Sequence, residues 1–243
     1  MKLYGLIGYP LSHSFSKNYF SQKFLKEGIT DSVYELFPIE TTEQFPILLQ
    51  EYPNLCGINV TIPYKEKVLP FLHHVSEDVK EIGACNCIKI EEGELYAYNT
   101  DVIGFEKSLL PLLQTHHTKA LILGTGGAAK AVAWVLKKLN IDYKFVSRNG
   151  GDAFTYEELN ATVMQEYSVI INTTPLGMQP NSNTKPSLPY DAIGKQHLCY
   201  DLVYNPSKTV FLQMAETNGA VIKNGSDMLE FQAEESWRIW NEL

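Results

Sequence analysis

Four short stretches concentrate side chains able to hold a small oxygenated molecule and move a proton on it. SHSFS supplies Ser14 and Ser16, which share a face if the chain there is extended. NVTIPYK supplies Asn59, Thr61 and Lys65, GACNC supplies Asn86, and NTDVIG supplies Asn99, Thr100 and Asp101. Together they offer hydroxyls, amides, one ammonium and one carboxylate, a set suited to a small polyhydroxylated acid. The segment NVTIPYKEKV, residues 59–68, poses the sharpest choice. It begins with strand-like alternation, breaks at Pro63 and turns charged. It is either a solvated edge strand or a substrate floor with a catalytic lysine at its rim. Each group also has a plainer use. Ser14 and Asp101 suit helix N-caps, Asn86 suits a turn, and Lys65 suits a solvated helix charge. Cys85-x-Cys87 has no partnering Cys or His pair nearby, which favours small buried thiols over a metal site. His73-His74 and His116-His117 read as surface pairs without a third ligand, so no metal is expected.

Those side chains need elements to hold them. Short apolar, β-branched runs alternate with helix-like segments along nearly the whole length, which argues for an α/β fold with mostly parallel sheets. KLYGLIG, SVYELFPI and NLCGINVTIP read as strands, and residues 14–27 and 42–50 as helices. CNCIKIEEGELYAYN reads as a hairpin turning at Glu92-Gly93. A helix over residues 101–113 follows, closed by Pro111. After the linker-like QTHHTK the rhythm restarts. KALILG, DYKFVSR, SVIINTT, LCYDLVY and AVIKNG read as strands, residues 128–139 as a helix and NSNTKPSLP as a polar loop. A well-packed helix from residue 226 to residue 240 ends the chain.

One loop in the second half carries its own chemistry. LILGTGGAAKA places Gly124, Gly126 and Gly127 between a strand and a helix, the context of a Rossmann-type loop. Glycines there allow a tight turn and let backbone N–H groups approach a pyrophosphate. The helix that follows adds the positive end of its dipole. Ala128 continues the loop, and Ala129 takes the third small position. The next strand ends VSRNGG. Enzymes that use NAD commonly close this strand with an acid for the ribose 2′-hydroxyl. Ser147, Arg148 and Asn149 stand there instead, and a guanidinium suits a 2′-phosphate. NADP(H) is therefore the expected cofactor.

Bulk properties bound the reading. At 243 residues the chain is long enough for one large domain or two smaller ones with real cores. A net charge of -8 argues against a broad basic surface for nucleic acid. No apolar run approaches the roughly 18 residues that span a bilayer, so no membrane partner is expected. The N-terminus runs straight into a strand-like pattern without the features of a signal peptide. Four scattered cysteines do not make a disulfide scaffold, so a cytoplasmic, reduced protein is expected.

Taken in order, the motifs resemble the shikimate dehydrogenase family over almost the whole chain. The matching stretches are SHSFS, NVTIPYK, GACNC, YNTDVIGF, GTGGAAKA, INTTPLGM, DLVYNPSKT and GSDMLEFQA. One would be weak; eight in the family's order are specific. The resemblance implies that Ser14 and Ser16 hold a substrate carboxylate. It implies that Asn59, Thr61, Asn86, Asp101 and Gln232 line the substrate, that Tyr204 lies close to it, and that Lys65 and Asp101 are the catalytic pair. Gly124, Gly126, Gly127 and Ala128 match the pyrophosphate loop. Thr173, Met178 and Gly225 fall at cofactor positions, the last two beside the nicotinamide. The implied architecture is an α/β substrate-binding domain, residues 1–101 joined by the C-terminal helix 226–243, and a Rossmann-type NADP domain, residues 102–225, with a cleft between them.

The implied reaction is reversible reduction of 3-dehydroshikimate to shikimate by NADPH, in a monomer or homodimer whose partners are small molecules. Two positions depart from the family pattern. Lys17 replaces a proline after the second serine, which alters helix entry more than chemistry. The cofactor clamp, commonly Asn-Arg-Thr or Asn-Arg-Ser, reads Ser147-Arg148-Asn149. Two other readings stay open: an NAD-preferring quinate/shikimate dehydrogenase, and a shikimate-binding sensor of the same fold that does no chemistry.

Overall fold

The computed structural model describes residues 1–11 and 14–242. By internal contacts the chain divides into two compact units, Met1–Thr100 with Ala233–Leu243, and Asp101–Gln232. The second boundary falls inside the last helix, seven residues later than the sequence-based division at 225/226.

The first unit runs β1 (Lys2–Gly8), α1 (Phe15–Glu27), β2 (Ser32–Pro38), α2 (Phe45–Glu51), β3 (Leu55–Val60), β4 (His74–Val75), α3 (Glu77–Ile82), β5 (Cys87–Glu91) and β6 (Glu94–Tyr98). Its sheet has the order β2-β1-β3-β5-β6-β4. Strand β1 pairs in parallel with β2 and β3, while β5 is antiparallel to β3 and β6. Both faces of β1 are buried. Leu3 and Ile7 join one apolar cluster with Phe45, Ile58 and Val68, while Tyr4 and Leu6 join another with Phe20, Tyr34 and Trp240. That is the period-two division a covered strand requires. Strand β3, which carries Asn59, lies between β1 and β5, so NVTIPYKEKV does not begin as an edge strand. The hairpin turns where the sequence places it. Glu92 and Gly93 both have positive φ, +52° and +82°, as a two-residue type I′ turn demands.

The second unit takes in most of α4 (Thr100–Leu109), then β7 (Lys119–Leu123), α5 (Gly127–Lys138), β8 (Asp142–Val146), α6 (Ala161–Glu166), β9 (Val169–Asn172), β10 (Leu198–Asp201), α7 (Val210–Thr217), β11 (Val221–Lys223) and most of α8 (Ser226–Glu242). Its five strands are all parallel, in the order β11-β10-β9-β7-β8. Strand β7 sits where the order reverses. The glycine loop leaves its C-terminal end, the place where open α/β sheets bind ligands.

Several expectations are corrected. Helix α4 stops at Leu109 and gives way to a 3-10 turn over Leu110–Leu112, because Pro111 has no N–H to continue an α-helix. Lys65 does not open a helix: residues 65–68 form hydrogen-bonded turns, and a 3-10 turn follows at Leu69–Phe71. His117 is buried, with Nδ1 accepting from the Gln114 N–H at 3.0 Å, so the second histidine pair is not a surface feature. Helices α3, α6 and α7 and strand β4 were not anticipated.

Candidate active site

In the first unit, three of the expected residues, Asn59, Asn86 and Thr100, are joined by one hydrogen-bonded chain. Ser16 lies by the hydroxyl of Tyr34, and Tyr34 donates to Asn59 Oδ1 at 2.9 Å. The Asn59 amide donates to the Asn86 carbonyl at 3.2 Å and to Ser236 Oγ at 2.9 Å. Ser236, on α8, lies 3.2 Å from Thr100 Oγ1. The Thr100 N–H donates to Asn86 Oδ1 at 2.6 Å, and Asn86 Nδ2 donates to Thr100 Oγ1 at 3.0 Å. Both carboxamides have their orientation fixed by backbone partners. A carbonyl can only accept from Asn59, and an N–H can only donate to Asn86. Asn59 therefore commits both amide hydrogens and one oxygen lone pair to the protein. Burial pushes the Tyr34 phenol well above its ordinary value, so it stays a donor at any working pH.

The serines take a different geometry from the extended one expected. Ser14 is the N-cap of α1 and its Oγ accepts from the Ser16 N–H at 3.3 Å; Ser16 already lies within the helix. Both side chains remain partly exposed, and the first turn of this 13-residue helix holds no acid. A helix N-terminus of this kind favours an anion.

Lys65 is held by its neighbours' backbone. Thr61 N donates to the Ile7 carbonyl at 2.9 Å, and the Thr61 methyl lies close over Gly8, where a Cβ would meet it at 2.4 Å. After a cis Ile62-Pro63 bond, Tyr64 is buried with its hydroxyl on the Ile39 carbonyl at 2.7 Å. The Lys65 carbonyl accepts from Cys85 N at 2.7 Å. Lys65 itself is half-buried, whereas Glu66 and Lys67 are exposed.

Asp101 lies in the first turn of α4 rather than at its cap, and it is buried. Gly104, one turn on, shares its face. A Cβ at Gly104 would lie 2.5 Å from the Met228 carbonyl and 3.1 Å from the Gln232 Cβ, so α8 passes against α4 there. Gln232, with Nε2 on the Leu229 carbonyl at 2.9 Å, is thereby set on the Asp101 side of α4.

The remaining expected residues lie in the second unit. Gly124 has φ +109°, and a Cβ there would stand 2.8 Å from Thr173 Oγ1, so glycine is required on both counts. Gly126 is the N-cap of α5, and a Cβ there would meet nothing within 4 Å, which leaves its backbone open to a ligand. Gly127 and Ala128 form the first turn of α5, and Ala129 is buried beneath them. Past β8, Ser147 Oγ reaches the Gly150 carbonyl at 3.4 Å, and Gly150 and Gly151 turn the chain with positive φ. Arg148 and Asn149 are exposed, and Arg148 has no ion-pair partner among the described residues. Thr173 donates its hydroxyl to the Leu123 carbonyl at 2.7 Å. Met178 is exposed and Tyr204 half-buried. A Cβ at Gly225 would come within 2.2 Å of the Leu202 carbonyl, so that glycine is fixed by packing as well.

A family model described as the shikimate dehydrogenase substrate binding domain matches residues 6–88. A shikimate dehydrogenase (NADP(+)) of Caldicellulosiruptor bescii is 38% identical over 264 positions, covering 100% of this chain and 90% of that protein. The chain belongs to the shikimate dehydrogenase family. Among solved structures of the family, the shikimate 5-dehydrogenase of Thermus thermophilus in complex with NADP(H) and shikimate matches with a TM-score of 0.88 and 30% identity. That match covers 100% of this chain and 94% of that one. A quinate dehydrogenase from Corynebacterium glutamicum in complex with NAD matches with a TM-score of 0.86 at 26% identity, covering 100% and 94%.

Sequence reasoning missed Tyr34 and Ser236, which lie outside the family's matching stretches. It also passed over Asn172, Asp201 and Thr209, which lie inside them. A signal for the latter was present: VIIN and LCYD are fully buried strands that each end on a polar residue. Asp201 is buried, and burial pushes its carboxyl up to about 6. Keeping it ionised at neutral pH costs on the order of 3 kcal/mol, at about 1.4 kcal/mol per unit. Among the described residues no group of three or more metal-binding side chains occurs.

Gly104→Ala tests the seating of α8 on α4. The added methyl should lower stability by about 1–3 kcal/mol and raise KM for shikimate more than KM for NADPH. Unchanged stability and KM would show that the two helices do not meet at this point.

Proposed function

We propose that the chain reduces 3-dehydroshikimate reversibly to shikimate with NADPH, a reaction of aromatic amino acid and chorismate biosynthesis. Membership of a family whose curated relatives are named shikimate dehydrogenase (NADP(+)) supports the reaction. The observation that carries it here is the joined polar floor Tyr34–Asn59–Asn86–Thr100, with Ser16 by the Tyr34 hydroxyl and Lys65 half-buried.

In the first unit Ser14 and Ser16, at the N-terminus of α1, receive the substrate carboxylate, while Thr61 and Asn86 meet the ring and its hydroxyls; Asp101, Tyr204 and Gln232, in the second unit, are the family's further substrate positions. Asn59 acts by holding its neighbours, since its amide hydrogens are already committed. Lys65 exchanges a proton with the reacting oxygen, and Asp101 is the second member of the family's catalytic pair. The second unit takes the cofactor. Gly124, Gly126, Gly127 and Ala128 receive the pyrophosphate at the head of α5, Ser147, Arg148 and Asn149 the 2′-phosphate, and Thr173, Met178 and Gly225 the nicotinamide side. NADPH supplies the hydride, so the protein has to orient two ligands and manage one proton.

The exposed guanidinium after β8, without an ion-pair partner among the described residues and with no acid at the strand end, favours NADP over the NAD bound by the quinate dehydrogenase relative. The four thiols are free, which suits a reducing, cytoplasmic compartment. No helix among the described residues is long and apolar enough to cross a membrane. We read the enzyme as a monomer or homodimer with small-molecule partners.

Steady-state turnover of shikimate and of quinate, each with NADP and with NAD, separates the readings. Shikimate with NADP should be the fastest pair by at least about tenfold, and Arg148→Ala should erase the preference for NADP. Fastest turnover of quinate with NAD would establish the other dehydrogenase, and tight shikimate binding without turnover would establish a sensor. Lys65→Ala should lower kcat by about 10²–10⁴-fold with little change in KM. A raised KM with kcat intact would make Lys65 a binding group only.

A further inference from the structure

Asp201 closes β10 in a position that nothing in the reaction explains. Its Oδ1 accepts from Asn172 Nδ2 at 2.9 Å and from the Val203 N–H at 3.0 Å, and its Oδ2 accepts from Thr209 Oγ1 at 2.5 Å. The proton arrangement is fully determined. Asn172 Oδ1 accepts from the Thr174 N–H at 3.0 Å and from its hydroxyl at 2.6 Å, so Nδ2 must face Asp201. Thr209 Oγ1 accepts from the Leu212 N–H at 3.4 Å as the cap of α7, so its hydrogen points to the carboxylate. Three donors converge, and only a group that accepts with both oxygens satisfies them. An amide would turn an NH₂ on a donor, and an apolar residue would strand all three.

The partners of Asp201 define what it holds. Asn172 sets the start of the loop 172–178, whose Thr173 bonds the Leu123 carbonyl and abuts Gly124 of the glycine loop. Thr209 packs against Gly177 at the other end of that loop, where φ is +90° and a Cβ would lie 3.1 Å from the threonine. Asp201 and Thr209 also pin the two ends of the segment that carries Tyr204. One buried carboxylate thus spans the loops leaving the C-terminal ends of β9 and β10 and reaches that of β7. A buried charge is seldom retained for stability, because an apolar replacement of the whole group is commonly as stable or more so.

We propose that Asp201 is a positioning residue for the cofactor, fixing the loops that carry Thr173 and Met178 against the glycine loop through Asn172 and Thr209. The inference rests on the reading that this unit binds NADP(H). Its predicted signature is a selective loss of cofactor affinity, whereas a merely structural residue would lower the melting temperature and leave the affinities of the folded protein alone.

Binding of NADPH, followed by protein fluorescence, and of shikimate without cofactor, followed by calorimetry, should be compared in the wild type and in Asp201→Asn. The variant should raise Kd for NADPH about tenfold, the loss of one hydrogen bond to a charged group, and raise Kd for shikimate by less, through the segment that carries Tyr204. Thr209→Val, which keeps the shape and removes the hydroxyl, should have the same effect, and Thr209→Ser should behave as the wild type. These two variants decide the matter if Asp201→Asn does not fold. Unchanged NADPH affinity in the folded variants, or equal weakening of both ligands, overturns the proposal. A wild type that binds no NADPH would instead overturn the reading on which it rests.

Discussion

The first unit depends on the pairing of one buried carboxamide. Asn59 is enclosed at the end of β3, between β1 and β5, where an unpaired amide group would cost about 1–3 kcal/mol. Its partners come from distant parts of the chain: Tyr34 on β2, the backbone at Asn86, and Ser236 on α8. Satisfying it brings those elements to one place. Ser16 lies by the Tyr34 hydroxyl, and Thr100 is tied in through Ser236 and Asn86. Asn59, expected to line the substrate, also holds several of the other polar residues in register.

The second unit repeats the principle with a charge. Asp201 stands at the end of a fully buried strand, and three donors converge on it from the end of β9, the loop after β10 and the N-cap of α7. Burial raises its carboxyl against those donors, so its ionised form is held at a cost to stability. The glycines of the same unit are set by contact distances rather than by flexibility. Gly124 abuts Thr173, Gly177 abuts Thr209, and Gly225 abuts the Leu202 carbonyl. Loops built this way have few alternative arrangements, as a site that must align a hydride with its acceptor requires.

Much of this was legible in the sequence, for identifiable reasons. The long strands showed their period, Glu92-Gly93 announced the hairpin, and the glycine loop stood between a strand and a helix as its chemistry demands. The short helices α3 and α6, six residues each, were not visible because two turns carry too little periodicity. Lys65 suits a solvated helix charge by local pattern, yet the chain there is held by bonds to Ile39 and Cys85 that local pattern cannot encode. Tyr34 and Ser236 escaped for the same reason. Each looks like an ordinary core or helix residue until its partner, 25 or 177 positions away, is known.

The central claim is that the polar floor works as one connected structure. Tyr34→Phe removes a single oxygen, the one that bonds Asn59 and lies by Ser16, and leaves the stacking of its ring on Phe20 in place. Calorimetric titration of shikimate into this variant and the wild type is the direct measurement. A connected floor predicts a Kd raised about tenfold, on the order of one buried hydrogen bond. An unchanged Kd in the folded variant would mean that the serines and Asn59 act independently, and would contradict the account.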